Sequence, residues 1–110
     1  MDVREYLTAD GRNPYREWLD TLDVSPRARI QARVLRFSSG NLGDHKSVGA
    51  GVWEARVMFG SGYRIYFARD GAQLVLLLLG GDKSTQSTDV VRAQESWKAY
   101  QEDKRHGKTK

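Results

Sequence analysis

With 110 residues, 39% of them hydrophobic and 29% charged, the chain has enough apolar material for one compact domain with a modest core, and too much for a disordered polyelectrolyte. The absence of cysteine excludes disulfides, a thiolate nucleophile and a cysteine-ligated metal. The formal charge of +4 is unevenly spread, because residues 27–69 carry eight arginines and lysines against only Asp44 and Glu54. Most of the eight are arginines, whose planar fork suits phosphate, so a polyanionic partner is one reading and ordinary solvated charge the other. The start of the chain lacks the apolar run of a signal peptide, and the longest apolar run, Leu74 to Leu79, is far too short to cross a bilayer. A cytoplasmic location and no membrane partner are the expectation.

In chain order, Val3 to Leu7 reads as a short first strand with imperfect alternation. A turn cluster follows, and Asn13-Pro14 then starts a helix, with asparagine as N-cap and proline at the first helical position. Tyr15, Trp18, Leu19 and Leu22 fall on one face of it. Ser25-Pro26 repeats the start signal for a second helix, which runs to about Ser39. Ile30, Val34 and Phe37 form its apolar stripe; Arg29, Arg33 and Arg36 form a basic stripe at the same spacing. That basic stripe is either a solvated face or a grip for phosphates or an acidic partner.

The segment from Ser39 to Gly51 reads as a turn-rich loop containing His45. Three strands follow. In Val52 to Phe59, Trp53, Ala55, Val57 and Phe59 point one way, and Val52, Glu54, Arg56 and Met58 the other. Gly60-Ser61-Gly62 is a tight connection to Tyr63–Ala68, where Tyr63, Ile65 and Phe67 share one face and Arg64, Tyr66 and Ala68 the other. Asp70-Gly71 marks a hairpin into Gln73–Leu79, which is apolar on both faces and ends at Gly80-Gly81. Ser84 to Tyr100 reads as a last helix with Val90, Ala93, Trp97 and Tyr100 on one stripe, and residues 101–110 as a polar tail that frays. The pattern predicts a single α+β domain over residues 1–100, in the order β-α-α-β-β-β-α. Its sheet is small and mainly antiparallel, with the two N-terminal helices on one apolar face. The other face is polar and cationic, carrying Glu54, Arg56, Arg64 and Tyr66, with Lys83 just beyond the last strand.

The common catalytic constellations are missing. His45 and His106 do not suggest a two-histidine ribonuclease site, no metal-ligand spacing is present, and neither glycine pair leads into a phosphate loop. No Ser–His–Asp arrangement is legible. Trp18, Trp53 and Trp97 each fall on an apolar stripe and read as core. Glu54 and Arg56 are neighbours on one strand face, where they serve either a site or a structural ion network with Arg64.

The order of elements, together with Trp53-Glu54-x-Arg56, Gly62-Tyr63-Arg64-Ile65-Tyr66 and Gly80-Gly81-Asp82-Lys83-Ser84-x-Gln86, resembles the RelE/ParE toxin superfamily over roughly residues 3–100. The nearest branch is the HigB-like, phage-derived addiction module killer group. The resemblance implies the toxin of a type II toxin–antitoxin pair, held by a cognate antitoxin of helix-turn-helix type, with mRNA and the ribosome as its other partners. It implies endoribonuclease action without metal or cofactor, in which the RNA's own 2′-OH attacks the adjacent phosphate. The catalytic positions of the family match Glu54, Arg56, Arg64 and Lys83; Tyr66, Lys46, Gln86, Arg29, Arg33 and Arg36 are the expected RNA contacts. Two positions depart from the family pattern. Glu54 stands where RelE has lysine, and Gln86 and Asp89 occupy the neighbourhood of its C-terminal tyrosine. The ParE branch, which inhibits gyrase without cutting RNA, is the alternative the resemblance leaves open.

Overall fold

The computed structural model describes residues 1–107. Its elements are β1 (Asp2–Glu5), α1 (Pro14–Asp20), α2 (Val24–Phe37), β2 (His45–Gly49), β3 (Val52–Val57), β4 (Tyr63–Asp70), β5 (Leu74–Asp82), a 3-10 turn (Lys83–Thr85) and α3 (Gln86–Gly107). The five strands form one sheet in the order β1-β5-β4-β3-β2, antiparallel except that β1 runs parallel to β5. The α+β class and the mainly antiparallel sheet agree with the sequence reading. The strand count does not, because His45–Gly49 is a fifth strand in place of the expected loop. Its sequence, HKSVG, has no apolar alternation and faces water, so the strand exists only through its pairing with β3.

Local signals explain most helix boundaries. Asn13 caps α1 by accepting from the Arg16 N–H at 2.9 Å, and Pro14 occupies the first turn. The start of α2 differs from expectation: its N-cap is Asp23 rather than Ser25, and Pro26 lies inside the first turn, where its missing N–H costs nothing. Of the tail expected to fray, residues 101–107 continue α3, and residues 108–110 lie outside the described residues. Lys104 and Tyr100 both bind the Asp70 carboxylate, at 2.6 and 2.8 Å, and tie the helix to the β4–β5 turn.

The sheet buries both faces. On one face Tyr15 and Leu19 of α1 and Ile30 and Phe37 of α2 pack on Ala55, Ile65, Phe67, Val75 and Leu77 of the sheet. On the other face α3 covers a second apolar cluster that includes Tyr66, Val52, Ala68, Leu76, Leu78, Leu79, Ala93 and Trp97. A bulge between β4 and β5 pairs Tyr66 with Leu79 and Phe67 with Leu77, so Leu78 and Leu79 both join the α3 side. The second face is therefore not an open polar surface throughout. Only the end near Glu54, Arg56 and Arg64 keeps that character. Among the described residues no helix is long and apolar enough to cross a membrane.

Candidate phosphate-binding site

Strand register assembles the site. On the face that α3 partly covers, Lys46 is the Cα partner of Glu54, Glu54 of Tyr66, and Tyr66 of Leu79. The adjacent row runs Arg56, Arg64, Gly81. Cross-strand partners lie side by side on one face, so the two guanidinium side chains stand next to each other with the Glu54 carboxylate one row away. Lys83 opens the turn after β5. Its neighbour Asp82 is the partner of Tyr63, which brings the lysine to the same end of the sheet as Arg64.

Glu54 is the hub, a carboxylate that is fully buried. Gln86, at the start of α3, donates to Oε2 at 2.8 Å; Arg64 Nε lies 3.4 Å from the same oxygen, and Lys46 Nζ lies 4.0 Å from Oε1. A buried carboxylate is tolerable only when cations and donors surround it in this way. The satisfaction is incomplete, since Glu54 Oε1, Arg56 Nε, Arg64 Nε and the Tyr66 hydroxyl are buried without a hydrogen-bond partner of good geometry. Burial, and then the neighbouring Glu54 carboxylate, push the Tyr66 hydroxyl well above its ordinary pKa, so it stays protonated.

The two arginines differ in setting. The Arg64 side chain is 12% exposed and packed over Glu54, whereas Arg56 is 42% exposed and reaches Asp44 at 3.3 Å. Arg64 is thus not the solvent-facing strand residue that alternation alone suggests. Tyr66 is likewise corrected as an RNA contact: its ring is enclosed in the α3-side core, where it cannot stack on a base.

The basic stripe of α2 also divides. Arg33 is buried, donating to the carbonyls of Leu42 at 3.1 Å, Asp44 at 2.7 Å and Arg56 at 2.7 Å, so it fastens the loop before β2 to α2 and to β3. Burial pulls its pKa down from the ordinary arginine value, with Arg36 adding to that and Asp44 opposing it. Arg33 is corrected as an RNA contact, because its guanidinium is taken up by these carbonyls. Arg29 and Arg36 lie on the outer side of α2, and the Arg29 guanidinium lies 4.7 Å from the centre of the Phe59 ring, beside the β3–β4 turn.

Two contributors escape a reading of the sequence. Asp44, which pairs with Arg56, sits in a stretch without strand or helix pattern. The anchoring of Gln86 on Glu54 joins residues 32 positions apart, which only the fold brings together. Among the described residues no group of three or more His, Asp or Glu side chains is placed to hold a metal ion.

The family model for phage-derived Gp49-like proteins matches residues 17–106. The chain belongs to the Gp49-like family. Its matched span includes Glu54, Arg56, Arg64, Tyr66, Lys83 and Gln86, and omits β1. An uncharacterized protein of Haemophilus influenzae is 44% identical to this chain over 95 residues, covering 86% of this chain and 90% of its own length.

Proposed function

We propose that this Gp49-like protein is the toxin of a type II toxin–antitoxin pair and acts in the cytoplasm by cleaving mRNA on the ribosome. The observation that carries the reading is the pair Arg56 and Arg64, cross-strand partners on the sheet, with the Arg56 side chain 42% exposed and Arg64 held beside it over Glu54. Two neighbouring arginine side chains, one of them half exposed, suit a tetrahedral oxyanion. The resemblance to RelE/ParE toxins and the phage-derived family support the same reading.

In this mechanism the 2′-OH of a nucleotide gives up its proton to a solvent water and attacks the adjacent phosphorus. The O–P bond to the 5′ oxygen of the next nucleotide breaks, leaving a 2′,3′-cyclic phosphate and a 5′-hydroxyl. Arg56 and Arg64 hold the nonbridging oxygens and offset the charge that builds on the phosphorane. Lys83, exposed at the same end of the sheet, is assigned as the proton donor to the leaving oxygen. Glu54 is a positioning residue. Its burial and its contact with Gln86 suit a carboxylate that fixes Arg64 and Lys46 better than one that collects a proton from solvent-exposed RNA. Arg29 and Arg36 extend the cationic surface along α2, toward ribosomal RNA or toward the antitoxin, for which a helix-turn-helix protein encoded nearby is the expected partner.

The test is induction of the chain in a bacterial host followed by mapping of transcript 5′ ends. New 5′-hydroxyl ends in translated frames are expected within minutes of induction. Growth arrest with DNA damage and no such ends is the outcome for a gyrase inhibitor, and it would replace this reading.

A further inference from the structure

A cleft of about 430 Å³ opens beside the charged cluster, between α1 and the start of α3, with the last residues of β5 as its floor. β1 pairs with β5 only as far as Leu77, so the stretch Leu79–Asp82 has no strand on its outer side and the cleft runs along it. The floor is glycine for a packing reason. A Cβ at Gly80 would overlap the Trp18 ring, and one at Gly81 would overlap the Asp89 carboxylate. The cleft is therefore flanked by an aromatic ring on one side of the strand and a carboxylate on the other. Tyr63 adds a second ring, 6.5 Å from Trp18 between centres.

Asp89 is 5% exposed and is the buried polar group of this cleft. Thr85 donates to its Oδ2 at 2.5 Å, which fixes the carboxylate plane. Its position is tied to the charged cluster, because the Gly81 that it covers is the Cα partner of Arg64. Glu17, Asp82 and Asp89 outnumber Arg92 along the cleft, so a phosphate is repelled from it while Arg56 and Arg64 next door attract one.

We propose that this cleft recognises a base, and specifically guanine, in the RNA strand whose phosphate lies on Arg56 and Arg64; the inference rests on the RNA reading of that site. A carboxylate only accepts hydrogen bonds, and it accepts best from two adjacent donors. Guanine alone among the four bases presents such a pair, N1–H and the N2 amino group, on its Watson–Crick edge. Adenine and cytosine offer one amino group beside an acceptor, and uracil one N–H between two acceptors. Trp18 and Tyr63 supply aromatic surface on which an unstacked base packs, and the volume suits a nucleobase. The phosphates stay outside on the cationic strands, while the neutral base enters the acidic cleft.

The experiment uses five 2′-O-methyl RNA pentamers, which cannot be cleaved by 2′-OH attack. Each has uridine flanks and guanosine, inosine, adenosine, cytidine or uridine at the centre. Binding to the full chain is followed by NMR at the Trp18 indole N–H and the Asp89 and Thr85 amides. The guanosine pentamer is expected to bind tightest, with inosine, which lacks the N2 amino group, weaker by about tenfold. Asp89→Asn is expected to cut the guanosine advantage to about twofold and to leave affinity for the all-uridine pentamer unchanged. The inosine comparison needs no variant, so it decides the question even where Asp89→Asn folds poorly. Equal binding of all five pentamers, or binding without shifts at Trp18 and Asp89, overturns the guanine pocket and leaves the phosphate site standing. Binding of none overturns the guanine pocket, and the transcript-end mapping then decides the phosphate site separately. Stronger shifts from N-acetyl-arginine amide than from the guanosine pentamer would assign the cleft to an arginine of a protein partner and also overturn the proposal.

Discussion

The same strands build both halves of the sheet face beneath α3, and the halves could hardly differ more. Toward one end, Val52, Ala68, Leu76 and Leu78 pack under Ala93 and Trp97, and the helix presents apolar surface to them. Toward the other, alternation continues through the same strands but delivers Glu54, Arg56 and Arg64, and the helix answers with Gln86. The first half gains stability by removing apolar area from water, which is insensitive to any one partner's charge. The second half gains little from burial. Each charge there is tolerable only while its partners stay, and several donors still go unsatisfied. A fold that carries such a cluster beside a complete apolar core is giving up stability at one place, as functional sites do.

Substitutions sharpen that contrast. The largest loss of stability is expected in the apolar half: Trp97→Ala removes a ring that is 8% exposed and stacked on Tyr100, at a cost of about 3–5 kcal/mol by denaturant unfolding. Activity should vanish with the fold. Arg64→Ala follows at about 3 kcal/mol, because it leaves the buried Glu54 carboxylate without its nearest cation. Adding Glu54→Gln to it should recover much of that loss, whereas no second change near Trp97 should do so. Next comes Arg33→Met, expected to cost about 2 kcal/mol by stranding the carbonyls of Leu42, Asp44 and Arg56. Tyr66→Phe should change stability at neutral pH by about 1 kcal/mol or less, since the hydroxyl has only the imperfectly aligned Glu54 carboxylate to lose. Its effect belongs at high pH. Tyr66 has a folded pKa above the ordinary 10.0, so the folded state holds its proton longer than the unfolded chain does. Stability tied to that proton is complete below about pH 10 and falls as pH rises beyond it. The phenylalanine variant should show a shallower alkaline decline in melting temperature, and an unchanged decline would contradict this account of the buried hydroxyl.

What the sequence makes legible depends on how local each signal is. Asn13-Pro14 and the Tyr15–Leu22 stripe carry their own instructions, so α1 is readable without the fold. Alternation in Val52–Val57 and Tyr63–Ala68 puts Glu54, Arg56, Arg64 and Tyr66 on one face, and the register agrees. Alternation does not say that the same face is half covered, because the cover is a helix that begins more than twenty positions after Arg64. Tyr66 and Arg64 are therefore less exposed than their pattern suggests. Arg33 shows the same limit: at i, i+4 spacing it matches Arg29, yet the helix turns it toward three carbonyls, two of them in a loop that has no pattern of its own. β2 escapes pattern reading because a polar edge strand is defined by its neighbour and not by its own residues.

The central claim is that the charged half of the face acts on phosphate, and Arg56→Ala tests it most directly. Arg56 is half exposed and its Asp44 partner is exposed too, so the substitution should cost no more than about 1 kcal/mol and leave a folded chain. Induced alongside the unsubstituted chain at equal level, it should produce transcript 5′ ends at a rate lower by about 100-fold and should no longer arrest growth. A folded, well-expressed Arg56→Ala variant that cleaves and arrests growth as the unsubstituted chain does would contradict the assignment.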